Sequence, residues 1–321
     1  MNLALDIIWV LLGLTGLYYG AEWLIDAATE LAKKLGVSDL VIGLTVLAFG
    51  TSAPELVVCL QSAMAGTPGL ALGNIIGSNI CNIALILAIS LCVSSLPVSK
   101  LIIKRDYAFL LISTVLFVYF LISGNELTRF AGWGLLLLLT IYMVVLFVTE
   151  KSHPSLEVVE AIEIEEDIIS HHPPRSVVKS SVFITLGLVT LVIAGKLLVN
   201  GAVGIASTLH VSDAIIGLSV VAIGTSVPEM AACLMAIKKK KLNFVIGNII
   251  GSNIFNLLSV LAITAVVTPL ENQGISLLSL SLNLGLVLLL IICSMKSKLP
   301  QWLGYLLLVI YTAYIYLEFV S

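Results

Sequence analysis

The chain has 321 residues and a net charge of −3 at pH 7; 59% of its residues are hydrophobic and only 11% are charged. A water-soluble chain gives about a quarter of its residues to charge, because its surface faces water, so this composition excludes a soluble protein. The near-neutral charge offers no footprint for nucleic acid, and a mean hydropathy of +1.13 points to a surface that faces lipid.

A membrane crossing takes about 20 apolar residues. Ten stretches qualify, at roughly 5–27, 40–65, 69–95, 106–123, 129–149, 179–205, 214–237, 243–268, 274–294 and 300–320. No Lys or Arg precedes the first, so it is expected to be a span and not a cleaved signal peptide. The predicted fold class is an all-α polytopic membrane protein.

Between spans one and two lie Lys33 and Lys34; Lys100, Lys104 and Arg105 follow span three. The same set of loops holds Lys151, Arg175, Lys179, Lys238, Lys239, Lys240, Lys241, Lys296 and Lys298. The opposite face has only Arg129, and Lys196 sits inside span six. Positively charged loops stay cytoplasmic, so both termini are expected outside, in a multi-pass cell membrane. The one long loop, 150–178, carries Glu150, Glu157, Glu160, Glu163, Glu165, Glu166 and Asp167, then His171, His172, Pro173 and Pro174. It lacks the ligand spacing of an EF-hand and reads as a solvated, cytoplasmic linker. It divides the chain into 1–149, 150–178 and 179–321. The Lys238–Lys241 run reads as a positive-inside anchor.

Residues 37–90 return at 211–264 with no gap, and 27 of the 54 positions are identical. Gly50-Thr51-Ser52-Ala53-Pro54-Glu55 returns as Gly224-Thr225-Ser226-Val227-Pro228-Glu229. Gly73-Asn74-Ile75-Ile76-Gly77-Ser78-Asn79-Ile80 returns as Gly247-Asn248-Ile249-Ile250-Gly251-Ser252-Asn253-Ile254, and Asn82 as Asn256. This is a duplication. Five spans per half is an odd number, so the halves enter the membrane from opposite sides: an inverted repeat, the architecture of transporters that open alternately to the two sides.

Glu55 and Glu229 lie well inside spans two and seven, where a charged side chain costs roughly 3 kcal/mol and marks a functional site. Inversion brings them to one depth, and two carboxylates there require a cation or protons between them. Thr51 and Ser52 share the helix side of Glu55. Pro54 cannot bond back to the Gly50 carbonyl, and Pro228 stands likewise opposite Gly224. Spans three and eight add Ser78 with Asn82 and Ser252 with Asn256. All are hard oxygen donors, the kind that Ca2+ takes in sets of 6–8; Na+ uses the same donors. No His or Cys motif suggests a transition metal. The five cysteines, Cys59, Cys81, Cys92, Cys233 and Cys293, have no zinc or disulfide spacing and read as small buried apolar residues. Gly73-xxx-Gly77 and Gly247-xxx-Gly251 suit close helix packing. Glu22 and Asp26 in span one fit either an aqueous mouth or pairing with a positive group.

On these repeats, the chain resembles the cation/Ca2+ exchanger superfamily, specifically its Na+/Ca2+ exchanger branch of prokaryotic type. The resemblance implies ten helices and mid-membrane ion sites built from Thr51, Ser52, Glu55, Ser78 and Asn82 with Thr225, Ser226, Glu229, Ser252 and Asn256. It adds the backbone carbonyls of Ala48 and Ala222 as Na+ ligands, and implies that spans one and six slide against the rest. With Asn at both 82 and 256, the centre has two formal charges, matching one Ca2+. Gly-Thr-Ser-x-Pro-Glu differs from the Gly-Asn-x-x-Glu pattern of Ca2+/H+ exchangers. The expected function is antiport of Ca2+ against Na+, with the bilayer and these ions as partners and no cofactor. Ca2+/H+ antiport is the nearest alternative, and a Ca2+-permeable channel the alternative of another class. An enzyme is not expected: all four histidines lie in or beside loops, and a Ser-Lys arrangement would need Lys196 at the site.

Overall fold

A computed structural model describes residues 3–123, 126–152, 176–208, 224–272 and 275–320. Most of the acidic linker, all four histidines and the first part of the seventh expected span, with Ala222, lie outside the described residues.

The architecture is helical. Helix α1 spans Leu3–Leu35. The second expected span is broken into α2 (Asp39–Ile42), a π-helical turn (Gly43–Leu47), α3 (Ala48–Thr51) and α4 (Ala53–Met64). Next come α5 (Pro68–Cys81), a second π-helical turn (Asn82–Leu87) and α6 (Ala88–Val93), then α7 (Lys100–Lys104), α8 (Asp106–Ser123) and α9 (Arg129–Ser152). The second half has α10 (Val177–Thr208), α11 (Val227–Lys238), α12 (Leu242–Phe255), a third π-helical turn (Asn256–Val260), α13 (Leu261–Val267), α14 (Leu277–Ser294) and α15 (Gln301–Val320).

Seven described helical stretches are long and apolar enough to cross a bilayer, and the bent pair Asp39–Thr51 with Ala53–Met64 makes an eighth. Helix α15 also forms, and carries Gln301, four tyrosines and Glu318. The chain is a multi-pass membrane protein. Its central elements are the two that follow each Pro-Glu motif: 78% of the Pro68–Val93 window and 89% of the Leu242–Val267 window are buried, against 22% for α1 and α9. Helices α1, α9 and α10 instead present rows of exposed Leu, Ile and Val such as Leu11, Leu137 and Val189, as lipid-facing helices do.

Two short antiparallel pairings, a feature the sequence reading lacked, tie the halves together. Leu96–Pro97 (β1) pairs with Lys298–Leu299 (β4), and Glu126–Leu127 (β2) with Leu270–Glu271 (β3). Under the 174-residue offset, β1 maps onto β3, and β4 falls within two residues of β2.

Helices α1 and α10 meet at backbone distance. A Cβ on Gly13 would lie 2.7 Å from the Leu198 amide nitrogen, and one on Gly201 2.6 Å from the Asp6 carbonyl oxygen. The second-half Gly-xxx-Gly works the same way: a Cβ on Gly247 would lie 2.7 Å from the Leu40 carbonyl oxygen, and one on Gly251 2.6 Å from Ala48 Cβ. These glycines press α12 directly onto the broken second span.

Arg105 and Asp106 join α7 to α8 through a buried bidentate pair, with Nε and Nη2 donating to the two carboxylate oxygens at 2.9 and 3.0 Å. Tyr142 donates to Asp106 at 3.1 Å, and Arg105 donates to Thr149 at 2.6 Å. The next residue, Glu150, accepts from the Ser38 amide at 3.0 Å. Helix α9 is thus anchored to the start of α2.

Candidate cation site

The site begins with a backbone break. Pro54 has no N–H to return to Gly50, and at Ser52 (φ −82°, ψ 3°) the helix stops. It restarts with Pro54 in its first turn and a 40° bend. Ser226 repeats the break (φ −92°, ψ 5°), with Pro228 in the first turn of α11. Each restart places a glutamate, Glu55 or Glu229, in the first turn of the new helix, where free backbone N–H groups favour negative charge.

Both glutamates are fully buried, at 0% and 1% exposure, and each has neighbours from the opposite half. Ser78 Oγ donates to Glu55 at 3.4 Å, and Thr225 lies beside the same carboxylate. Ser52 Oγ donates to Glu229 at 3.5 Å, Thr51 lies beside it, and Glu55 is within electrostatic reach. Thr51 Oγ1 reaches the Leu47 carbonyl at 3.0 Å and Asn248 Oδ1 at 3.3 Å. Asn256 Nδ2 donates to Asn79 Oδ1 at 3.0 Å.

Several oxygens of this set are buried without a protein partner: Glu55 Oε2, Glu229 Oε2, Asn82 Oδ1, Asn256 Oδ1, Ser226 Oγ and Ser252 Oγ. Buried polar atoms are ordinarily satisfied, so this cluster has the chemistry of a hard-cation cradle. Among the described residues, no three His, Cys, Asp or Glu side chains converge. The donors that gather are two carboxylates with hydroxyls and amides.

The expected residues sit as follows. Thr51, Ser52, Glu55, Ser78, Asn82, Ser226, Glu229, Ser252 and Asn256 are buried at the repeat, while Thr225 is half-buried. Ala48 is buried, and its carbonyl accepts from the Ser52 amide at 3.1 Å. Lys196 is exposed on α10, unlike the buried serines. Glu22 and Asp26 both face Lys239, at 3.9 Å for Glu22. Of the two readings open for them, the structure selects pairing. Lys238 sits 4.5 Å above the Tyr18 ring, and Lys241 pairs with Asp39 at 3.0 Å. The lysine run is therefore a clasp on α1 and α2 as well as a charged end.

Four residues were missed. Asn79 and Asn253 are buried beside the donors, and Asn74 and Asn248 bind cysteine sulfurs at 3.4 and 3.5 Å. The signal was present: Asn74, Ser78 and Asn82 are spaced four apart, as are Asn248, Ser252 and Asn256, each a single helical stripe. The cysteine reading is corrected accordingly. Cys59 and Cys233 are buried, but they are hydrogen-bond acceptors and not merely apolar filling.

The sodium/calcium exchanger protein family model matches residues 5–148 and 179–320. The chain belongs to the sodium/calcium exchanger family. Sodium/calcium exchanger MaX1 of Methanosarcina acetivorans is 30% identical, over 97% of both chains. Inner membrane protein YrbG of Escherichia coli (strain K12) is 31% identical, over 82% of this chain and 80% of that one. Among solved structures, the sodium-calcium exchanger NCX_Mj soaked with 10 mM Na+ and 10 mM Sr2+ superposes with a TM-score of 0.81 at 33% identity, covering 100% of this chain and 99% of that one. The family's members are membrane antiporters, and this exchanger's broken helices and paired glutamates fit cation exchange.

Proposed function

We propose that the protein exchanges Ca2+ for Na+ by alternating access, with Ca2+ held between Glu55 and Glu229. The observation that carries this is the mirrored burial of these two carboxylates, each with an oxygen that no protein donor meets. Two negative charges match one divalent cation, and the hydroxyl and amide oxygens of Thr51, Ser52, Ser78, Asn82, Thr225, Ser226, Ser252 and Asn256 complete its shell. Na+ ions, aided by the carbonyls of Ala48 and Ala222, take over the same glutamates. Ca2+ and Na+ share ligands, so neither load is complete while the other is present. An empty centre carries two uncompensated charges at membrane depth, which suppresses return without cargo.

In this reading, ten helices form two inverted five-helix halves, 1–149 and 179–321. Both termini lie outside, and 150–178 lies in the cytoplasm. Helices α1 and α10, knitted by their glycines, slide as one body past the site. The protein performs no covalent chemistry and takes no cofactor.

The test is Ca2+ uptake into proteoliposomes loaded with Na+ and diluted into choline medium, with Na+-free, K+-loaded and pH-jump controls. Uptake that requires internal Na+, and that Glu55→Gln and Glu229→Gln each abolish, supports the reading. Uptake driven by the pH jump alone replaces Na+ with protons, and flux with no counter-ion replaces antiport with a channel.

A further inference from the structure

We propose that Cys233 is a positioning residue that orients the site through an amide relay. The relay runs from the thiol of one repeat to a hydroxyl of the other. It rests on the reading of Thr51 as a cation ligand and deepens it.

Glu229 and Cys233 lie four residues apart on α11, facing Asn248 on α12. Asn248 Nδ2 donates to Cys233 Sγ at 3.5 Å, and Asn248 Oδ1 lies 3.3 Å from Thr51 Oγ1. Thr51 belongs to the first repeat and Asn248 to the second, so the chain Cys233–Asn248–Thr51 crosses between them. All three residues are buried, at 0–1% exposure.

The direction of the amide decides what Thr51 offers the cation. A carboxamide donates at one end and accepts at the other. With Nδ2 spent on the sulfur, Oδ1 faces Thr51 and can only accept. The single Thr51 proton then has three acceptors in reach: this oxygen, the Leu47 carbonyl at 3.0 Å and the Glu229 carboxylate. With any of them Thr51 is the donor, and the lone pairs of its Oγ1 stay open to a cation. If the amide turned over, Nδ2 would donate to Thr51 Oγ1 and consume a lone pair. The Nδ2–Sγ hydrogen bond, which that turn would break, holds the amide against it.

The first repeat holds the thiol–amide half of this device. Asn74 Nδ2 donates to Cys59 Sγ at 3.4 Å. The Cys59 proton is engaged with the Ala71 carbonyl at 3.5 Å, which leaves the sulfur to accept. A weak acceptor suits this role: it fixes the amide with little desolvation cost inside a bilayer. Partners one step behind a metal ligand typically govern about 10–100-fold in affinity.

The test is equilibrium Ca2+ binding to the purified full chain in detergent without Na+, by titration calorimetry. It is paired with the half-saturating Ca2+ and the maximal rate of uptake in proteoliposomes. Cys233→Ala is expected to weaken Ca2+ binding on the order of tenfold and raise half-saturating Ca2+, while maximal uptake is kept. Cys233→Ser, which can still accept, restores most of the loss. On a Thr51→Ala background, Cys233→Ala costs little more, because the relay already ends nowhere. Cys233→Val fills the volume without an acceptor and serves if the alanine variant loses its monodisperse elution. The relay is overturned if serine is as damaging as alanine, or if the losses at 233 and 51 simply add. Binding is read without Na+, so a failure of Na+ coupling in the transport assay leaves this test standing.

Discussion

Ser52 donates across the repeat boundary to Glu229 at 3.5 Å, whereas Ser78 donates within its own half to Glu55 at 3.4 Å. Their mirror images do neither: Ser226 Oγ and Ser252 Oγ are buried without a protein partner. The two glutamates are thus related by the duplication but served by serines of the first half alone. A hydrogen bond to a charged group contributes about 1.5–3 kcal/mol, and these are long ones. Ser52→Ala and Ser78→Ala are expected to weaken Ca2+ binding about tenfold with the protein still folded. Ser226→Ala and Ser252→Ala, whose oxygens bond neither glutamate, lower affinity through lost ligation. Titration calorimetry on the four variants checks the order.

Pro54 and Pro228 keep the helices from closing over the site. Alanine at either position supplies an N–H that can return to Gly50 or Gly224 and straighten the break. The expected outcome for Pro54→Ala and Pro228→Ala is a melting temperature equal to or above that of the parent, with loss of Ca2+ uptake. Parental uptake by both variants would show that the break is ornamental.

Arg105 and Asp106 are buried away from the glutamates. Removing one charge leaves the other stranded, which costs on the order of 3 kcal/mol. Asp106→Asn is expected to lower thermal stability in detergent markedly, while the molecules that remain folded bind Ca2+ with parental affinity. A loss of affinity with unchanged melting would place this pair in the transport pathway instead.

Lys239 ties the end of α11 to Glu22 and Asp26 on α1, and those side chains are 22–49% exposed. Pairs so open contribute about 0.2–1 kcal/mol and are screened by salt. Lys239→Ala is expected to leave melting unchanged and to alter the uptake rate by up to about fivefold. The difference from the parent should shrink in high salt, and the reversed pair Lys239→Asp with Asp26→Lys should recover the parental rate.

The repeat, the glutamates and the proline breaks were legible because each is written in local residues. Gly-Thr-Ser-x-Pro-Glu breaks a helix wherever it stands, and an apolar run is a span by its own length. What the sequence hid was long-range. No rule of spacing pairs Asn248 with Thr51, 197 residues away, or directs Lys239 toward Asp26. Cysteine in an apolar run looks like filling until a neighbouring helix brings an amide to its sulfur. The asparagine stripes were visible at four-residue spacing, but only the positions nearest the carboxylates drew attention.

The strand pairings β1–β4 and β2–β3 carry a consequence for ancestry. Each half of the chain owns one strand of each pairing and completes neither. Severed from the other, a half would present two open edges, each complementary to the edge at its own opposite end. Two identical copies lying in the bilayer in opposite senses would close both. The fastenings now joining the halves of one polypeptide are those that an antiparallel homodimer would have needed before its gene was doubled.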